Sequence, residues 1–473
     1  MVDTEVPMPA ATFALFFGNR GFFPESLIAD ARRELTDTLA RLGYGALLLE
    51  DSATRHGAVE TAEEGRVFAR WLAANAGRYD GVILCLPNFG DENGAVAALL
   101  DCGTPILVQA YPDEIGRMGF ESRRDAFCGK FSVMDVFDQH RLPFTTFKPH
   151  TTHPGGADFE RHLRWFGAVC RVVRGMRRLT LGAVGARTTA FKTVRFDELA
   201  LQRYGVTTES LDLSDVFARV RRIDPHAERV AAKIERLTAY TTWAAVPSEK
   251  LETLARLGLA LDDVIEEYRL DGLALRCWIE IEQELGVSPC VLLSALNDRG
   301  CVAACELDVL NAVAMRALLL GSERPAACLD WNNNYGDDPD KCVLFHCGPV
   351  PQSLMTAKGR IVDHPMFAKS FGPGHGWGCN VGRIAPSPFT FASSKTEAGR
   401  LVFYVGEGRF TADPIEEAFF GCAGVAAIEG LQDKLLTIGK QGFRHHVSVT
   451  QGEVALPLRE AFRTYLKYDV IDL

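Results

Sequence analysis

The sequence predicts an α/β protein: two open parallel-sheet units followed by a small β-rich unit. Three observations carry this reading. Short apolar runs alternate with amphipathic stretches over the first third of the chain, and a second such cycle begins near Thr180. From His346 onward, Gly and Pro punctuate short alternating segments. Brief apolar runs separated by helices are the pattern of a parallel sheet covered on both faces. Short alternating segments between turn residues suit antiparallel pairing or a small barrel instead.

In order, strands are expected at residues 12–17, 46–49, 81–86 and 105–108, with helices at 25–42, 61–75 and 94–100 between them. A helix at 158–178 closes the first unit. The second opens with a strand at 180–184 and continues with helices at 225–240 and 248–268. A strand at 273–277, a short helix through Glu284, and strands preceding Glu306 and Asp330 follow. In the last unit, strands are expected at 401–405 and 409–412 and a terminal helix at 457–465. The domains read in this way are 1–178, 179–345 and 346–473.

The chain has 473 residues, 47% of them hydrophobic and 24% charged, the balance of an ordinary globular protein. That length buries a large core without disulfide or metal staples, so a metal is expected to serve chemistry rather than folding. The net charge of −10, with no basic run beyond pairs such as Arg177-Arg178 and Arg221-Arg222, argues against nucleic acid. No stretch approaches the roughly 20 apolar residues of a bilayer span, so no membrane partner is expected. The acidic start Met1-Val2-Asp3-Thr4-Glu5 lacks the basic region of a secretory signal. Thirteen cysteines, an odd number without CxxC spacing, write neither a zinc ribbon nor a thioredoxin site. Reduced thiols fit the expected cytoplasmic location.

Three apolar runs each end at a metal-capable side chain: Ala303-Ala304-Cys305-Glu306, Cys328-Leu329-Asp330 and Leu344-Phe345-His346. In open α/β sheets, residues at the carboxyl ends of strands converge on the ligand crevice. Two carboxylates and an imidazole gathered there suit a divalent cation of the Mn, Mg or Co kind. A second imidazole is available in Arg444-His445-His446-Val447. Neighbours on a strand point to opposite faces, so only one of His445 and His446 is expected to face the site. Singly, each residue has a plainer role: an acid after a strand commonly caps a helix, and a lone histidine commonly hydrogen-bonds.

Two glycine-rich stretches add little. Gly182-Ala183-Val184-Gly185 lacks the third glycine of a dinucleotide fingerprint, and Gly372-Pro373-Gly374-His375-Gly376-Trp377-Gly378 lacks the lysine of a P-loop. The second is either a tight turn or a loop presenting His375 and Trp377 to a sugar-like ligand. No GxSxG elbow is present, and no cysteine carries a nucleophile signature.

The run from Ala303 through Gly348 resembles the metal-site region of the L-fucose and L-arabinose ketol-isomerases. Gly185-Ala186-Arg187-Thr188-Thr189-Ala190-Phe191-Lys192-Thr193-Val194-Arg195-Phe196 is similar to the opening of that superfamily's middle domain. The resemblance also covers residues 278–298 and His445-His446-Val447. It implies two Rossmann-like open parallel-sheet domains followed by a C-terminal β-barrel-type domain. It further implies a homo-oligomer (hexamer, trimer or tetramer) whose active sites a neighbouring subunit completes.

By the same resemblance the metal ligands are Glu306, Asp330 and one of His445 and His446, with His446 preferred. His346 matches the extra histidine of the arabinose branch, and the implied ion is Mn²⁺, or else Mg²⁺ or Co²⁺. The implied activity is aldose–ketose isomerisation of a monosaccharide. A proton moves between C2 and C1 through an enediolate, whose charge a divalent cation stabilises. Glu306 and Asp330 are jointly the catalytic pair, since one carboxylate takes and returns the proton. Trp331, Trp377, His375 and His445 are candidate substrate contacts, with a core role as the alternative for the two tryptophans. Arg187 and Arg195 leave an anionic sugar open. The alternative functions are a non-catalytic sugar-binding or sensing protein on this scaffold and, more remotely, a metal-dependent lyase.

Overall fold

The computed structural model describes residues 8–473, so the acidic residues 1–5 lie outside the described chain. Strands β1 (Thr12–Phe17), β2 (Gly45–Leu48), β3 (Gly81–Leu86) and β4 (Ile106–Ala110) form a parallel sheet in the order β2-β1-β3-β4. Every residue of β3 is buried. Helices cover both faces of such a strand, which is why it reads as an unbroken apolar run. The helices are Ser26–Arg41, Ala62–Ala74, Glu92–Leu99, Ala126–Gln139 and Ala157–Met176. Thr61 and Asp91 cap two of them by accepting from the Glu64 and Gly94 N–H groups. Helix Ala126–Gln139 is not expected from the sequence. It carries Phe127 and Phe131 on exposed positions, and this blurs the apolar face that marks an amphipathic helix. Residues 8–174 and 460–467 make one compact unit, in which the Tyr465 hydroxyl lies 2.9 Å from that of Thr145.

The second unit comprises residues 175–459 and 468–473. Its parallel sheet has the order β6-β5-β7-β8, from β5 (Leu179–Val184), β6 (Val206–Leu211), β7 (Gly272–Leu275) and β8 (Val302–Ala304). Leu254, Leu257, Leu261, Leu273, Leu275 and Val291 lie in the core of this sheet and its helices. Strand β6 escapes the apolar pattern because it lies at the sheet edge and buries only its two end residues.

The remaining strands are β9 (Ala326–Asn334), β10 (Lys341–His346), β11 (Arg360–Asp363), β12 (Trp377–Arg383), β13 (Ser387–Glu397), β14 (Arg400–Phe410), β15 (Cys422–Ala427), β16 (His446–Gln451) and β17 (Asp469–Ile471). They pair in the order β11-β12-β15-β10-β9-β16-β13-β14-β17, and β14 also pairs with β15 through Arg409 and Phe410. That extra pairing closes β15, β10, β9, β16, β13 and β14 into a six-stranded barrel, which removes the exposed edges of those strands. The barrel takes in β9 and β10, which begin before residue 346.

The segments expected at 401–405 and 409–412 fall on one strand, β14, which ends at Phe410. Its Gly406 and Gly408 stand opposite Phe391 and Phe389. A Cβ at Gly406 would sit 2.2 Å from the Phe391 ring. These glycines are room for cross-strand aromatic rings rather than turn signals. Among the described residues, no helix is long and apolar enough to cross a membrane, and no disulfide joins the cysteines.

Candidate active site

Glu306 lies just past the carboxyl end of β8, in a tight turn where Glu306 and Leu307 both take left-handed backbone angles (φ 60° and 62°). Such angles are costly for residues with a Cβ, and they cluster where a side chain has to be aimed. The Leu307 N–H donates to the Leu275 carbonyl at the end of β7, and Asp308 then caps helix Val309–Ser322. Trp278, just beyond β7, donates its indole N–H to Glu306 Oε1 at 3.0 Å. Burial opposes ionisation of Glu306. A protonated His446, then the charge of His346 and the Trp278 N–H, outweigh it and bring the carboxyl down to about 2.

The barrel supplies the other groups. Asp330 on β9 is directly opposite His446 on β16. Strand alternation sends Ala327, Leu329 and Trp331 into the barrel interior, so Asp330 faces out. Val447 and Val449 likewise point inward, which turns His446 the same way as Asp330. The fully buried His446 Nε2 lies 3.1 Å from Glu306 Oε2 and 3.4 Å from Asp330 Oδ1. Its Nδ1 lies 2.8 Å from Asp308 Oδ2. In the neutral ring, the form that can bind a metal, the proton sits on that side and Nε2 offers a lone pair to the site. Asp308 is itself buried, paired with the Arg444 guanidinium and bonded by Asn311. Burial raises its carboxyl, but Arg444 and His446 hold it well below the usual carboxylate range.

One atom each of Glu306, His346 and His446 lie within 4.8 Å of one another, and so do atoms of Asp330, His445 and His446. Asp330 Oδ1, His346 Nε2 and His446 Nε2 are buried without a hydrogen-bond partner. Orphaned buried donor atoms that converge in this way are what a bound cation satisfies. Carboxylate oxygens and an imidazole nitrogen fit Mn²⁺ and its hard neighbours. His346 fits less directly. Its Nδ1 accepts the Cys347 N–H at 2.9 Å, which leaves the proton of the neutral ring on Nε2 as a donor.

The remaining candidates fall in different places. His445 also reaches Asp330, at 3.6 Å, although alternation allowed only one of the two histidines. It precedes the first residue of β16, where strand alternation does not yet apply. Trp331 packs against the barrel core, its indole N–H 3.3 Å from the Tyr404 hydroxyl. Trp377 packs against the core of the parallel sheet. His375 is exposed, in a turn whose Gly374 and Gly376 N–H groups donate to the Asp363 carboxylate. None of Trp331, Trp377 and His375 lines the cavity beside Glu306.

Sequence reasoning missed that cavity's Glu282 and His364, and it missed Asp308 behind His446. Asp308 had a signal, standing two residues after Glu306, but it reads as the helix cap that it also is. The similarity segment 185–196 does reach the site. Phe191 sets its ring 5.4 Å from His445, 5.7 Å from His446 and 5.9 Å from Trp278.

Comparison with known proteins identifies the family. Residues 14–177 match the family described as fucose/sulfoquinovose isomerase, N-terminal domain, and residues 344–473 match L-fucose isomerase, C-terminal domain. Sulfoquinovose isomerases from Priestia aryabhattai and Priestia megaterium are each 25% identical over 410 residues, covering 86% of this chain and 88% of theirs. The sulfoquinovose isomerase of Alkalicoccus urumqiensis is 24% identical over 395 residues, covering 82% and 84%. The chain belongs to the fucose isomerase-like superfamily, as a sugar aldose–ketose isomerase.

Proposed function

We propose that this isomerase depends on a divalent cation held by Glu306, Asp330 and His446, with sulfoquinovose as the first substrate to test. The observation that carries the metal reading is the convergence of Glu306 Oε2, Asp330 Oδ1 and His446 Nε2, with Asp308 fixing the tautomer of His446. When bound, Mn²⁺ or a similar ion polarises the sugar carbonyl and stabilises the charge that develops as the enediolate forms.

The chain's own groups do the rest. Glu306 and Asp330 share the proton shuttle between C2 and C1, and Glu306 is ionised at neutral pH. The Trp278 indole holds Oε1 of Glu306, which leaves Oε2 turned to the site. His346 presents its Nε2–H as a donor to a sugar oxygen, and Phe191 with Trp278 screens the site from water. The relatives' printed activity suggests an anionic sugar. Arg187 supports this, because its guanidinium rests on the Thr188 and Thr189 carbonyls and, among the described residues, pairs with no carboxylate. Cytoplasmic, homo-oligomeric operation belongs to the same proposal. The fully exposed Ile115, with Met118 and Phe120 also exposed, supports a surface that another copy covers.

The test is direct. Chelator-treated protein should lose interconversion of the aldose and its ketose and regain it with Mn²⁺. In deuterated water the wild type should exchange the C2 proton. Full turnover without any divalent ion would overturn the metal assignment.

A further inference from the structure

The cavity beside Glu306 holds two buried, titratable side chains that the proton shuttle does not use. Its volume is about 280 Å³, and Trp278, Ile279, Phe367 and Phe371 give it a mainly apolar wall. Set into that wall are Glu282 and His364, which are 0% and 1% exposed. Glu282 Oε1 accepts from the Ser288 hydroxyl at 3.2 Å, while Oε2 is buried with no partner. His364 Nδ1 accepts the Met366 N–H at 3.3 Å, so the neutral ring carries its proton on Nε2. The Phe367 and Phe420 rings flank that imidazole at 4.3 and 5.2 Å. An orphaned carboxyl oxygen in an apolar wall destabilises the fold unless something entering the cavity pairs with it.

The geometry points to Glu282 and His364 as the pair that grips hydroxyls of the sugar chain beyond the two reacting carbons, and so as specificity-determining residues. This rests on the metal-dependent isomerase reading given above. Burial raises Glu282 to about 8 and lowers His364 to about 4, so both are uncharged at neutral pH. Uncharged donors and acceptors match hydroxyls, and no Lys or Arg lines this cavity among the described residues. The anionic end of a charged substrate therefore lies outside it.

The test uses the full-length, Mn²⁺-loaded protein, an aldose that it turns over and the corresponding alditol, which binds without reacting. Glu282→Leu and His364→Phe are expected to raise KM and the alditol Kd by about ten-fold or more, with kcat falling less. Glu282→Gln, which keeps hydrogen-bonding capacity, should recover most of the affinity. Unchanged Kd in Leu and Phe variants that melt and bind Mn²⁺ like the wild type overturns the assignment. If either variant fails to fold, monodeoxy alditols decide the matter on the wild type. At least one is expected to bind about ten-fold more weakly, and uniform binding across the series overturns the proposal. Failure of the wild type to isomerise any aldose sinks the isomerase reading instead, and alditol binding then still tests the two residues.

Discussion

Asp308 Oδ2 lies 2.8 Å from His446 Nδ1, and this contact decides which nitrogen of His446 faces Glu306 and Asp330. Arg444, itself buried, occupies the other carboxylate oxygen and keeps Asp308 ionised. A carboxylate behind an imidazole orients the ring and makes it a stronger ligand. Asp308→Asn is therefore expected to weaken Mn²⁺ binding roughly 10–100-fold by calorimetry. Asp308→Ala should in addition cost about 3–5 kcal/mol of stability, since it leaves the Arg444 guanidinium buried and uncompensated. Wild-type Mn²⁺ affinity in the Asn variant would remove the positioning role.

Glu306→Gln keeps the size of the side chain and the acceptor for the Trp278 indole but loses the charge that takes a proton. Turnover should fall by roughly 10²–10⁴ and C2 proton exchange should slow in step, as read by NMR in deuterated water. Exchange that persists while turnover falls would mean that another group is the base.

Glu282 gives a pH signature independent of activity. Burial raises its carboxyl from the ordinary 4.5 to about 8, so the folded protein holds this proton over a range where the unfolded chain has released it. Stability from this group is complete below about 4.5 and is lost as pH rises through about 8, at up to roughly 1.4 kcal/mol per pH unit. Glu282→Gln should flatten the thermal-melting profile between pH 5 and 8 relative to the wild type. Parallel profiles would show that the carboxyl is not perturbed in this way.

Gly378, in β12, has φ 135°, and a Cβ there would lie 1.9 Å from the Ser288 carbonyl oxygen. The Ser288 hydroxyl is the one that bonds Glu282. Gly378→Ala should lower stability by about 1–3 kcal/mol through backbone strain alone. The clash should also displace Ser288 and raise KM more than it lowers kcat. A variant that melts and binds like the wild type would show that the strand accommodates the methyl group.

Much of the fold was legible in order. Buried parallel strands such as β3 announce themselves as apolar runs, and Glu306 stands out because such a run stops at it. Asp330 was legible as a candidate for the same reason, but its setting was not. It reads as the end of a strand in the second α/β unit, yet β9 continues through it to Asn334 as part of the barrel. Strand β6, helix Ala126–Gln139 and the unity of β14 were hidden. An edge strand, a helix with exposed aromatics and a glycine facing a phenylalanine each break the pattern that neighbours in the chain would otherwise show.

Periodicity, turn chemistry and the ends of apolar runs depend on residues close together in the chain, so they are written locally and can be read there. Which carboxylate meets which imidazole depends on barrel closure and on the register that sets Asp330 against His446. The burial that makes Glu282 and His364 neutral, and the partner that turns His446, exist only once distant segments exclude water together. Solvation and pairing of that kind are properties of the folded environment, and no stretch of sequence carries them alone.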